Sequence, residues 1–305
     1  MDRIVIVTKP TRLEELVQIH LTEGAAEFIL ESRGQNITPY RSEDATYRFA
    51  LATVRQQLPN DIAVTFVARG DLPNFLFRDN DLVIVCGPDG LFANVAKYLG
   101  KQLVLTVNPD PSTVAGILML FPPKAVGSTI AKVRAGTHQS EKLPFVKASI
   151  NDGEKILWGI NDLFIGRKDH VSARYSITLG IQSENQSSSG IIVSTGIGAT
   201  GWMRSVAAMV AGLVPSGTAH KLTNLPATIQ NELVFVVREP FPSPTTKTNL
   251  VTGRIVPGKP LVVNSAMASG GYIFSDGVTE KAIEWNAGSK ITVTVGERHI
   301  ERIVP

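Results

Sequence analysis

The hydrophobic pattern of the first 120 or so residues alternates between short continuous apolar runs and segments of helical period. Continuous apolar runs of this length are typical of strands that are buried on both faces of a sheet. Strands are predicted at residues 4–7, 82–86 and 103–107, and residues 62–67 are predicted to be extended. Because helical segments separate them, this part of the chain is predicted to form a parallel sheet with helices on both faces.

Helices are predicted between these strands. Thr11-Arg12-Leu13-Glu14 has the spacing of a capping box, and apolar residues recur at helical intervals after it. Further helices are predicted at residues 25–33, ending at Gly34, at 44–58 and at 91–98.

The pattern changes after Phe121-Pro122-Pro123, where helical periodicity largely disappears. Short strand-like segments bounded by Gly, Asn, Ser and Pro follow, which is typical of a mostly β domain. One helix is predicted at 202–213, and the polar run at 184–189 is predicted to be a hairpin loop. Strands are predicted at 175–179, 190–194, 233–237 and 261–263. The predicted fold class is therefore α/β, with a parallel-sheet domain followed by a mostly-β domain.

Composition narrows the possible functions. At 305 residues, with 43% hydrophobic and 19% charged residues, the chain has ordinary globular composition, and two domains are expected. No apolar run approaches the roughly 20 residues of a membrane helix, so no membrane association is expected. The net charge of +3 is spread along the chain, and no basic stripe predicts nucleic-acid binding.

Several kinds of site are disfavoured by residue content. Cys86 is the only cysteine, which excludes an internal disulfide and agrees with a cytoplasmic location. The five histidines are scattered without metal-ligand spacing, so no protein-bound metal site is predicted. Ser194 lacks the frame of an esterase nucleophile, and no Gly-x-Gly-x-x-Gly follows the first strand. A hydrolase and a dehydrogenase are therefore disfavoured.

A glycine turn is the first candidate for chemistry. Gly87-Pro88-Asp89-Gly90 follows a predicted buried strand and opens a predicted helix. Glycines at such a position let the backbone approach a phosphate, and the helix start supplies free N–H groups. Asp89 is placed to accept a proton from a substrate hydroxyl. Taken alone, the tetrapeptide is more often an ordinary strand-to-helix turn with Asp89 as the helix N-cap.

Two later segments add to this hypothesis. Asn161-Asp162 places two polar side chains at the head of an apolar strand. The segment 189–202 contains a strand, a turn rich in glycine and hydroxyl residues, and the start of a helix. Such a turn suits contact with a ribose or phosphate, and Trp202 is available to stack on a ring.

The order and spacing of these segments resemble the NAD kinase family. That family has a Gly-Gly-Asp-Gly-Thr phosphate motif, an Asn-Glu or Asn-Asp pair before a strand, and a small-residue turn like Ser-Thr-Pro-Thr-Gly-Ser-Thr-Ala-Tyr. The resemblance is closer to the mitochondrial-type branch of animal NAD kinases, and it covers nearly the whole chain in order. The segments that resemble that branch are Lys9 to Arg12, Asn108 to Pro111, Phe164 to Gly166, Ser188 to Gly190 and Arg238 to Pro240.

The resemblance implies a fold, a reaction and a set of site residues. The fold would be a Rossmann-like domain (residues 1–122), a β-rich dinucleotide-binding domain (123–278) that encloses a cleft with it, and a C-terminal segment (279–305) that returns to the first domain. ATP, with Mg²⁺ or another divalent cation, would phosphorylate NAD at the 2′-hydroxyl of the adenosine ribose, and Asp89 would be the base. The remaining implied binding residues are Gly87, Gly90, Leu91, Asn161, Asp162, Ser189, Thr195, Gly198, Thr200, Gly201, Trp202 and Asp276. A homodimer or higher homo-oligomer is implied as well.

Three positions depart from the family pattern, all on the phosphate-donor side. Pro88 replaces a glycine and removes one backbone N–H, Leu91 replaces a threonine, and Ile117 replaces a histidine. Two alternatives stay open, the first because of these departures and the second because related kinases share the fold. One is a dinucleotide-binding protein without phosphoryl transfer, and the other is a kinase of the same fold that phosphorylates another hydroxyl, on a sugar or a lipid.

Overall fold

The chain folds as two compact units, seen in a computed structural model that describes residues 1–114, 116–213 and 231–305. The first unit contains Met1–Lys142 and Ile300–Pro305, and the second contains Leu143–His299. The division after residue 142 lies beyond the predicted domain boundary at 122, and helix α5 lies between the two positions. The predicted boundaries at 122 and 278 stay a prediction.

Four parallel strands form the centre of the first unit, in the order β2-β1-β3-β4. The end of a later strand, β16, extends this sheet beyond β4, because Glu301 and Arg302 pair with Leu103 and Val104. The strands are β1 (Arg3–Thr8), β2 (Ala63–Ala68), β3 (Asp81–Cys86) and β4 (Leu103–Val107). The helices are α1 (Arg12–His20), α2 (Glu23–Ser32), α3 (Thr38–Gln56), α4 (Asp89–Ala96) and α5 (Val126–Ala135).

The core of this unit explains why its inner strands are mostly apolar, whereas edge strand β2 is largely exposed. Ile4, Ile6 and Ile84 point to one face and pack with side chains of α3 and α5. The alternate residues, such as Val5 and Val83, are also fully buried. Each buried Val or Ile side chain stabilises the fold by about 1.5–3 kcal/mol. The predicted parallel sheet is confirmed, and the predicted capping box at the start of α1 is present.

The second unit is built from two packed β layers. One is a six-stranded antiparallel sheet in the order β12-β11-β10-β7-β14-β15. The other contains β9, β8, β13 and β16 in order, with β5 paired to β16 and β6 paired to β5. The strands are β5 (Gln139–Ile150), β6 (Lys155–Gly159), β7 (Asp162–Arg167), β8 (Ala173–Leu179), β9 (Gln182–Ser188), β10 (Gly190–Ser194), β11 (Leu233–Arg238), β12 (Thr252–Ile255), β13 (Leu261–Ser265), β14 (Gly271–Ser275), β15 (Val278–Glu284) and β16 (Lys290–Val304).

Alternation along these strands separates the two faces of the six-stranded sheet. Leu163 and Ile165 face the core between the layers, where they pack with residues such as Ile177 and Val263. Phe164, between them, points to the opposite face. That face is covered by helix α6 (Trp202–Leu213), which occupies the residues predicted for it.

Two expectations from the sequence are wrong in this description. The polar run at 184–189 is not a hairpin loop, because residues up to Ser188 form strand β9. Its polar side chains are satisfied inside the fold, since Tyr175 Oη bonds Ser188 Oγ (2.7 Å) and Gln186 Nε2 donates to Leu250 O (3.0 Å). The sequence also predicts little helix directly after residue 121, whereas the structure has helix α5 there.

Candidate functional site

The glycine turn lies where an open parallel sheet offers a ligand site. The connection that follows β1 leads to β2 on one side of the sheet, and the connection that follows β3 leads to β4 on the other side. Ligands of such sheets bind beyond the carboxyl ends of the strands, at the point where the strand order reverses. Gly87 follows β3 directly, and Lys9 follows β1. The sequence thus brings both residues to this edge.

Only part of the turn has backbone N–H groups that can meet a phosphate. The N–H of Gly87 donates to Val107 O (3.2 Å), and Pro88, which is the helix N-cap, has none. The amides of Asp89 and Gly90 open α4, where N–H groups have no partner within the helix. Leu91 is 2% exposed, and its side chain packs so closely against Gly87 that a Cβ at Gly87 would lie 2.8 Å from Leu91 Cδ2. Leu91 therefore contributes packing at this turn.

The carboxylate of Asp89 contacts a neighbouring loop. The N–H of Leu118 donates to Asp89 Oδ1 (3.0 Å), and the carbonyl of Leu118 accepts a hydrogen bond from Arg302 Nη1 (3.0 Å). The N-cap of α4 is Pro88, so the expectation that Asp89 is the N-cap is wrong. Arg302 is buried, and its partner Leu118 is 184 residues away in the chain. A sequence pattern gives no signal for so distant a contact.

A cavity of about 560 Å³ adjoins the turn. Gly87, Pro88 and Asn108 line it from the ends of β3 and β4, and Lys9 and Arg12 supply basic side chains. Arg12 Nη2 is paired with Glu43 (2.5 Å), whereas Lys9 has no ion pair with any described residue. The volume is in the range of small-molecule sites. An anionic ligand is favoured here because of the unpaired lysine charge.

The loop that follows β4 is held by its own polar side chains. Asn108 Nδ2 donates to Val114 O (2.8 Å), and Asn108 Oδ1 accepts from the N–H of Asp110 (3.0 Å). Hydrogen bonds from Ser112 and Thr113 lower the pKa of Asp110, which keeps it ionised. Asp110 thus orders this wall of the cavity.

The second unit places several predicted residues around one turn, which joins β6 to β7. Asp276 accepts hydrogen bonds at Oδ2 from the N–H of Ile160 (3.2 Å) and at Oδ1 from those of Asn161 (2.7 Å) and Asp162 (3.3 Å). Thr195 Oγ1 donates to Ile160 O (2.6 Å) from the other side. Five predicted residues meet here: Asn161, Asp162, Thr195, Gly198 and Asp276.

Close backbone approach explains the glycine at position 198. A Cβ at this position would lie 1.9 Å from Asn161 O, so no residue with a side chain fits without movement. The N–H of Gly198 also donates to Thr195 Oγ1 (3.2 Å). The buried Oδ1 atom of Asn161 has no hydrogen-bond partner among the described residues. A buried acceptor without a partner is costly in a folded protein, so it marks a position for a ligand or water.

Trp202 and Ser189 lie in a second group, away from the Asn161 turn. The ring of Trp202 stacks on Phe164 with centroids 5.6 Å apart, and Arg238 lies over Trp202 at 5.7 Å. The amide of Ser189 donates to Arg238 O (2.9 Å), at the other end of β10 from Ser194. The ring of Trp202 therefore already has two partners within the protein. Thr200 and Gly201 join the two groups through the short 3-10 helix Gly198–Thr200 and its cap.

Comparison with known proteins gives the same fold. No protein-family model matches the chain. It is 26% identical to an NAD kinase of Ralstonia nicotianae over 178 residues, which are 54% of this chain and 58% of that relative. The chain thus matches less than two thirds of the length of that protein.

Solved structures extend the similarity to the whole chain. The yeast NADH kinase complexed with NADH has a TM-score of 0.64 at 12% identity, covering 100% of this chain and 84% of that one. An NAD kinase from Archaeoglobus fulgidus in complex with ATP has a TM-score of 0.58 at 15% identity, covering 99% and 93%. At these identities the likeness shows the fold, which is that of NAD kinase structures. The predicted α/β fold class is confirmed.

No helix of the described residues is long and apolar enough to cross a membrane.

Proposed function

We propose that this protein transfers the γ-phosphate of ATP to the 2′-hydroxyl of the adenosine ribose of NAD, which gives NADP. The observation that carries the proposal is the Asp89 carboxylate, at the start of α4 and at the ligand-binding edge of a sheet with the NAD kinase fold. The sequence similarity to the Ralstonia NAD kinase supports the same activity.

The proposed reaction needs a base, phosphate contacts and charge neutralisation. The ribose 2′-oxygen attacks the γ-phosphorus, its proton passes to Asp89, and ADP leaves with the bridging oxygen. Phosphoryl transfer depends mainly on positioning and electrostatic stabilisation. In this chain the N–H groups of Asp89 and Gly90 and the ammonium of Lys9 would supply those contacts.

A divalent cation such as Mg²⁺ would arrive on the ATP phosphates and neutralise their charge. Mg²⁺ in such sites keeps several waters and takes only one or two protein carboxylates. The described residues hold no group of three His, Cys, Asp or Glu side chains, and a phosphate-carried ion does not require one. The free oxygen of Asp89 is the proposed proton acceptor, so the cation would be held by the ATP phosphates and water.

The dinucleotide side of the proposal belongs to the second unit. Asn161 and Asp162 would hold the dinucleotide, and the Asn161 Oδ1 atom offers an acceptor with no partner among the described residues. Thr200, Gly201 and Trp202 would contact its adenosine side. Because the ring of Trp202 already contacts Phe164 and Arg238, an adenine base would share it with these side chains.

A second candidate function follows from the donor side. Gly87 and Pro88 offer no free N–H to a phosphate, and Leu91 is buried. These features favour a dinucleotide-binding protein without phosphoryl transfer. We prefer the kinase because Asp89 and Lys9 keep the charges that the reaction uses.

The two functions are separated by an assay with the purified wild type. NAD or NADH is supplied with ATP or polyphosphate and magnesium, NADP(H) is measured, and NAD affinity is determined by calorimetry. We expect NADP(H) with at least one donor. NAD binding without NADP(H) from any donor would support the non-catalytic function instead.

Three finer points belong to the same proposal. The Lys9 to Arg12 and Asn108 to Pro111 segments favour the mitochondrial-type branch of animal NAD kinases. The single cysteine agrees with a reducing, cytoplasmic location. A homo-oligomer is proposed from the family resemblance.

A further inference from the structure

We propose that Asp276 and Thr195 are positioning residues, which fix the Asn161–Asp162 turn from opposite sides so that it can hold the dinucleotide. The inference rests on the proposed function. It assigns neither residue a direct contact with the substrate, although the resemblance implies one for both.

The first step is the use of the Asp276 carboxylate. Its two oxygens accept hydrogen bonds from the backbone N–H groups of Ile160, Asn161 and Asp162. The N–H of Asp276 donates in return to Asp162 O (3.0 Å). Hydrogen bonds to a carboxylate are roughly twice as strong as neutral ones. This side chain therefore holds three consecutive amides in one arrangement.

The second step is the use of Thr195, which is 1% exposed. Its Oγ1 donates to Ile160 O (2.6 Å), and its N–H donates to Asn161 O (2.9 Å). Thr195 thus binds the carbonyl groups of the turn, and Asp276 binds the N–H groups of the same turn. Because the backbone N–H and carbonyl groups of the turn are both hydrogen-bonded, the backbone of Asn161 is fixed. Its side-chain Oδ1 atom is buried and has no partner among the described residues.

The third step concerns the backbone of Asp276. Its φ of 50° is in the left-handed region, which Asp and Asn tolerate better than most residues and Gly adopts freely. Asp276→Gly therefore removes the carboxylate without adding backbone strain. Asp152 is a matched control, because it has a φ of 58° and an exposed carboxylate paired with Lys290, outside the turn.

The test combines amide hydrogen exchange with kinetics on the full chain. In the absence of substrate, Asp276→Gly is expected to speed exchange at residues 160–162 about tenfold or more, since charged hydrogen bonds are lost. Asp152→Gly is expected to leave those amides unchanged. Unchanged exchange in Asp276→Gly would overturn the proposal, whether or not the wild type forms NADP.

The kinetic arm separates positioning from general stability. Asp276→Gly and Thr195→Val are expected to raise the KM for NAD about tenfold or more, with the KM for ATP within about twofold of wild type. Thr195→Ser, which keeps the hydroxyl, is expected to stay near wild type. Equal losses in Thr195→Ser and Thr195→Val, or an unchanged KM for NAD in Asp276→Gly, would overturn the proposal. If the wild type forms no NADP, the proposed function fails, and NAD affinity by calorimetry replaces KM.

Discussion

The N–H of Leu118 donates a hydrogen bond to Oδ1 of Asp89 over 3.0 Å. The contact fixes the orientation of the carboxylate, because Leu118 is itself held by Arg302 through its carbonyl group. This hydrogen bond occupies one oxygen of Asp89 and orients the carboxylate, and the other oxygen is left for a substrate. This arrangement agrees with the proposed role of Asp89 as the general base.

The donor side of the site is expected to improve when its missing N–H is restored. Pro88→Gly returns a backbone donor, and one hydrogen bond to a charged oxygen contributes about 1.5–3 kcal/mol. We expect the KM for ATP to fall about tenfold, with a loss of about 0.4–1 kcal/mol in stability from the more flexible unfolded chain. Steady-state kinetics and thermal unfolding measure both effects. Pro73→Gly, outside the cavity lining, is the control, and an equal change of KM there would refute this account of Pro88.

Lys9 is expected to act on the same phosphate groups. Because Lys9 lines the cavity without an ion pair among the described residues, Lys9→Gln should raise the KM for ATP by about tenfold or more. The KM for NAD should change much less. Exposed Lys101 lies outside the cavity lining, and Lys101→Gln serves as the control for net charge. A KM for ATP that is equal in both variants would exclude Lys9 from the site.

Two glycines in one turn are expected to differ sharply in their tolerance of alanine. A Cβ at Gly198 would lie 1.9 Å from Asn161 O, whereas a Cβ at Gly201 would be 3.5 Å from its nearest neighbour. Gly198→Ala should destabilise the protein by about 1–3 kcal/mol or more, as overpacking does. Gly201→Ala should destabilise the protein less than Gly198→Ala does. Denaturant unfolding followed by tryptophan fluorescence gives both values, and similar stabilities would contradict the close approach.

Cys86 is expected to be inert in the native protein. The side chain is fully buried, and burial raises the pKa of its thiol to about 12 from an ordinary value of 9.0. Since the folded state holds the proton more tightly, the resulting stability is fully present below pH 9 and is lost as the pH rises towards 12. A thiol reagent at pH 8 should react only after denaturation. Rapid labelling of native protein would contradict the burial of this strand end.

The sequence predicts well those strands and helices whose own hydrophobic pattern specifies them. Strand β10 and helix α6 have the predicted bounds, because an apolar run and a helical apolar stripe are both local signals. Strand β9 is different. Its Gln186 and Ser188 are polar yet buried, and their partners Tyr175 and Leu250 come from other segments. A local pattern contains no information about such partners.

The same limit applies to the site residues. The sequence singles out Asp89 because it follows an apolar strand in a glycine turn. It singles out Asn161 because this polar residue directly precedes an apolar strand. The engagement of Asp276 with amides 115 residues away has no local signature, and neither has the contact of Arg302 with Leu118. Sequence can thus propose which residues carry the chemistry. Their supporting hydrogen bonds require the fold.

The central claim is tested most directly by comparing NADP formation in wild type and Asp89→Asn. Asparagine keeps an acceptor for the Leu118 amide, so the turn should remain in place while the base is lost. We expect wild type to form NADP from NAD, ATP and magnesium, and Asp89→Asn to lower kcat by about a hundredfold or more. Exposed Asp79→Asn should retain full activity. Full activity in Asp89→Asn, with NADP formed at the wild-type rate, would contradict the role of Asp89.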